Sequence, residues 1–97
     1  MKSVFIAYDQ ALHDFVLEAL NSSLCKGFTL MSSVGGRGSV NGNPHLGSHA
    51  WPSTNNAIMC ICDDEKVDPL LTRLHKIDLE NPLLGLRAFV WTVERSI

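Results

Sequence analysis

Four side chains in this 97-residue sequence have the type and spacing to share a metal ion: His45 and His49, four apart, and Cys60 and Cys62, two apart. Imidazoles suit zinc, copper, nickel and cobalt, and a spacing of four brings two of them to one ion where the segment turns as a helix. Thiols two apart on a strand point to one face, which suits a shared ion and equally suits two small hydrophobes in a core. Core packing is the expectation for at least one of them. Two imidazoles do not complete a site. The remaining donors would come from Cys60 or Cys62, from His13 or His75, from Asp63 or Glu65, or from a neighbouring copy of the chain. The competing reading leaves the histidines capping turns or standing in solvent.

Both histidines lie in the segment 35–56, a long polar loop in an otherwise apolar chain. Loops beyond roughly 12 to 15 residues are uncommon in small domains unless they serve a function or are disordered. Gly35-Gly36-Arg37-Gly38 opens the loop and could present backbone amides to an anion, but no Gly-Lys-Ser/Thr ending follows, and tight turning explains the glycines as well. Trp51, before Pro52, is either an aromatic clamp on a ligand or partner or a hydrophobic foot that pins the loop down.

Six elements must position these groups. Val4 to Tyr8 is a β-branched and aromatic run ended by Asp9, which can cap the next element. Leu12, Phe15, Val16, Ala19, Leu20 and Leu24 then recur at helical spacing, with Gly27 expected to close the helix. Phe28 to Val34 and Ala57 to Cys62 read as strands. Val67, Leu70, Leu71, Leu74 and Ile77 make a second helical stripe up to about Asp78. Because proline clashes deep in a helix, Pro69 predicts that this helix starts with Asp68 as its cap. Arg87 to Val93 is the last strand, and His13 and His75 are expected on solvated helix faces. The order is βαββαβ in a single domain over 1–97, with no internal repeat.

Composition narrows the function. A net charge of -2 offers no general attraction to polyanions, so nucleic acid is not an expected partner. No apolar run is long enough to span a bilayer, and three cysteines do not make a disulfide framework, so the chain reads as cytoplasmic. Strands one, three and four carry apolar residues on both faces, for example Phe5 and Ala7 behind Val4, Ile6 and Tyr8. Two helices cover one face only, so the other is expected to be buried against further copies of the chain. A base-stacking sheet is excluded, because Ala57-Ile58-Met59-Cys60-Ile61-Cys62 has no aromatic and no basic residue. A soft-metal carrier of this topology would need cysteines in the first loop, and Asp9-Gln10-Ala11-Leu12-His13 has none. No nucleophile elbow, metalloprotease pair or flanking carboxylates point to an enzyme.

Over its whole length the sequence resembles the PII signalling family and its PII-like relatives, which adjoin the CutA proteins. Phe28 to Val34 running into Gly36 and Gly38 matches the family's Val-x-Gly-x-Gly pattern, and the segment 35–56 stands in the place of the T-loop. The resemblance implies a trimeric α+β, ferredoxin-like sandwich with an antiparallel four-stranded sheet. It further implies an intersubunit cleft bordered by these glycines, where an adenine nucleotide or another effector binds, and a T-loop that engages a membrane transporter, enzyme or regulator. Where classical members carry a glycine- and lysine-rich phosphate loop, this chain has Asp78-Leu79-Glu80-Asn81-Pro82-Leu83-Leu84-Gly85. Arg37 and Arg87 are then the main cations for a phosphate. The loop has no tyrosine, so uridylylation has no acceptor there. Some PII-like proteins with histidine-bearing loops accompany heavy-metal efflux systems, which favours zinc, copper, nickel or cobalt as the effector, its candidate ligands being the residues named above, His45, His49, Cys60 and Cys62. The alternatives are an adenine-nucleotide sensor with an atypical phosphate site and a structural adaptor that binds neither.

Overall fold

The computed structural model describes residues 1–36, 44, 46–47 and 54–97. Strand β1 spans Lys2–Asp9, and a 3-10 turn over Gln10–Leu12 leads into helix α1, His13–Ser22. Strands β2, Phe28–Val34, and β3, Asn55–Cys62, precede helix α2, Asp64–Glu80, and strand β4, Arg87–Thr92. The strands form one antiparallel sheet in the order β2-β3-β1-β4, with the two hydrophobic strands β1 and β3 at its centre. This is the ferredoxin-like arrangement that the element order implies.

Alternation along the strands decides which residues form the core. Val4, Ile6 and Tyr8 of β1 and Ile58, Cys60 and Cys62 of β3 are buried together with Val16, Leu20, Leu70 and Leu74 from the helices. The opposite face carries Phe5 between Met59 and Phe89, and Ser3 between Ile61 and Trp91. In the single chain Phe89 is 59% and Trp91 47% exposed.

Two boundaries differ from the sequence expectation. Gly27 does not close α1, because the helix already ends at Ser22 and the chain turns at Leu24, whose φ is 60°. Leu24 N–H donates to the Asn21 carbonyl and Cys25 N–H to that of Leu20, the paired bonds of a Schellman motif with leucine at the left-handed position. An L-residue there is strained by about 1–2 kcal/mol relative to the right-handed region. Leu24→Gly is therefore expected to stabilise the fold by about 0.5–1 kcal/mol, part of the relief being lost to glycine's greater unfolded-state freedom. A urea midpoint equal to or below that of the parent protein would contradict this.

Helix α2 starts at Asp64 rather than after Asp68, and Pro69 lies inside it. Asp64 and Glu65 place two carboxylates in the first turn, where the helix dipole favours them, and the earlier start also buries Val67 beside Leu70 and Leu74. These gains keep the segment helical despite the proline.

Candidate functional site

The root of the 35–56 loop is built from β2 and β3. Between Met31 and Val34 three steps of β2 span two of β3, a bulge in which Ser33 adopts φ 57°. The Ser33 N–H donates to Asn56 Oδ1 at 3.2 Å, and that pins the Asn56 amide with its NH2 toward His13 Nδ1, 3.2 Å away. Tyr8 Oη lies 2.7 Å from the same nitrogen, and the Tyr8 and His13 rings stack with centroids 5.9 Å apart. Nδ1 therefore accepts from both, the tautomer following from the anchored amide. Burial pushes the Tyr8 phenol above its ordinary value, and its hydrogen bond with Asn56 opposes that shift.

His13 is accordingly not a solvated surface residue, as its place on the polar side of α1 suggested, but the link between that helix and the loop. Asn55 and Asn56, expected within the loop, belong to β3 and are buried. At the other margin Thr54 accepts from the Gln10 N–H at 3.1 Å and pairs with Leu46 as an isolated bridge. A β-carbon at Gly36 would stand 2.9 Å from Asn55 Nδ2, so this member of the Val34-Gly36-Gly38 pattern is a close-approach glycine. Arg37, Gly38, His45, His49 and Trp51 lie outside the described residues.

Arg87 opens β4, with Nη1 3.3 Å from Asp78 Oδ1 and 2.6 Å from the Leu86 carbonyl. It lines a pocket of about 370 Å³ together with Leu71, His75, Asp78 and Ala88. His75 is exposed, as expected.

Cys60 and Cys62 stand about 17 and 24 Å along β3 from Asn55, well away from the loop root, given ~3.4 Å per residue. Both are buried, and the structure brings them to Cys25 rather than to a described histidine. Sequence reading missed Cys25. Only the turn at Leu24 aims that side chain under the sheet, and a strained leucine announces no turn. Burial, reinforced by Cys25 and Cys62, pushes Cys60 up to about 12, and burial, reinforced by Cys25, raises Cys62 above its ordinary value, with Cys60 and Lys66 opposing the shift there. No helix among the described residues is long and apolar enough to cross a membrane.

Solved structures resemble this fold over nearly its whole length. CPII from Thiomonas intermedia K12, bound to ADP and bicarbonate, superposes with a TM-score of 0.74 at 21% identity, covering 93% of this chain and 82% of that one. Another CPII structure, bound to ADP, AMP and bicarbonate, gives 0.72 at 21% identity, with coverage of 97% and 88%. A Thermus thermophilus protein described as PII-like and signalling gives 0.69 at 25% identity, with coverage of 95% and 85%. No curated protein matches the chain. The model of the nitrogen regulatory protein P-II family matches residues 1–97 in full, and the chain belongs to that family.

Proposed function

We propose that this chain is the subunit of a trimeric regulatory protein that binds an adenine nucleotide in a cleft between subunits and passes its state to a partner through the 35–56 loop. The observation that carries the reading is the uncovered sheet face, where Phe5, Met59, Ile61, Phe89 and Trp91 form an apolar surface suited to other copies of the chain. Gly36, Arg37 and Gly38 would border the cleft from the loop side. Arg87 would meet the phosphate, exchanging Asp78 for a second acceptor. ADP and AMP in the CPII structures support this choice over a metal as the effector of the cleft. A single domain over 1–97 fits the length of the family match.

The loop would dock on a membrane transporter or its regulator, and its own chemistry supports a second effector. His45 and His49 would take zinc, copper, nickel or cobalt there. Because Cys60 and Cys62 lie far along β3 from the loop root, further donors would come from another subunit.

Calorimetry with ATP, ADP and AMP tests the cleft. Saturable heat is expected from at least one of them, and Arg87→Ala is expected to weaken it about tenfold or more, the value of a charge-assisted hydrogen bond. A trimeric sample that takes up none of the three would overturn the nucleotide reading. Heat on metal addition that disappears in the double variant His45→Ala, His49→Ala would then favour the loop as the effector site.

A further inference from the structure

The three cysteines of this chain come from three places: Cys25 after the turn that ends α1, Cys60 within β3 and Cys62 at its end. Their Sγ atoms all lie within 4.8 Å of one another, and all three thiols are free. Metal–sulfur bonds of ~2.3 Å place the sulfurs of a planar three-coordinate site about 4 Å apart, so side-chain adjustments of under roughly 1 Å would close the set.

We propose that Cys25, Cys60 and Cys62 form a three-sulfur site for one soft, low-coordinate cation per chain, copper(I) being the best match. The choice follows from the donors. Thiolates select soft ions, and a closed zinc site needs four ligands, whereas no imidazole or carboxylate joins this group among the described residues. Access is built in. A surface pocket of about 330 Å³ reaches Cys25 and Cys62 past Gly27, Lys26 and Lys66, and Cys62 is the most exposed of the three thiols. Binding exchanges thiol protons for the ion: each S–H that becomes a metal–sulfur bond releases H⁺ to solvent, and copper enters and stays as copper(I). The resulting negative charge would meet a mouth lined by Lys26 and Lys66, with Asp63, 3.9 Å from the Lys66 ammonium, partly opposing it.

The site is independent of the nucleotide cleft and of the loop histidines, and its test separates it from both. Reduced, metal-free protein is titrated anaerobically with copper(I) in a weak competing chelator, with thiolate-to-metal charge-transfer absorption as the readout. The band is expected to saturate at one equivalent per chain and to be lost in Cys25→Ser and Cys62→Ser; ions held by imidazole alone give no such band. X-ray absorption on the loaded parent protein gives the answer even where a serine variant fails to fold. A shell of three sulfurs supports the proposal. A shell containing nitrogen, or binding that survives Cys25→Ser in a folded protein, overturns it.

Discussion

Phe89→Asp is expected to leave a monomer by light scattering where the parent protein forms the proposed trimer, and to abolish the proposed nucleotide binding with it. Phe89 pairs across β1 with Phe5, which meets Met59 on its other side, so the substitution puts a charge in the middle of the apolar row. Full burial of such a side chain stabilises by about 1.5–3 kcal/mol, and a carboxylate facing an apolar partner adds an unpaired charge. In a trimer the loss occurs three times. Leu79→Asp is the control, since Leu79 is 66% exposed and lies on α2, on the opposite side of the sheet. Both variants remaining trimeric would remove the open face from the proposal, and with it the cleft.

The fold was legible because its pattern is redundant. In β1 and β3 the pleat separates the buried Ile6, Ile58 and Cys60 from Phe5, Ala7 and Met59, although Ser3 and Ala57 on the second face are buried too, and strand β2 begins and ends at the expected Phe28 and Val34. The site was less legible because it depends on conformations that residue type does not announce. Nothing in Leu24 or Ser33 foretells a left-handed backbone, yet one turns Cys25 toward Cys60 and the other aims its N–H at Asn56. His13 looked solvated because its helical neighbours Asp14 and Glu18 are polar. Its ring is instead claimed by Tyr8 and Asn56 from outside the helix.

Pro69 illustrates the same competition, and its removal should stabilise the protein by roughly 2 kcal/mol. Within a helix interior proline is about 3 kcal/mol less favourable than alanine, and regained unfolded-state freedom takes back about 0.4–1 kcal/mol. Pro69 is exposed, so Pro69→Ala forfeits little packing, and it restores an N–H that can reach the Glu65 carbonyl one turn earlier. The Pro69 carbonyl keeps its bond from Arg73 Nη1, at 3.3 Å, in either case. A rise in thermal midpoint of about 8–16 °C is the expected readout for a domain of this size. An unchanged or lowered midpoint would mean that the turn around Glu65 has already relaxed around the ring. In that case the burial of Val67, rather than regular helical bonding, would be what draws the start of α2 forward to Asp64.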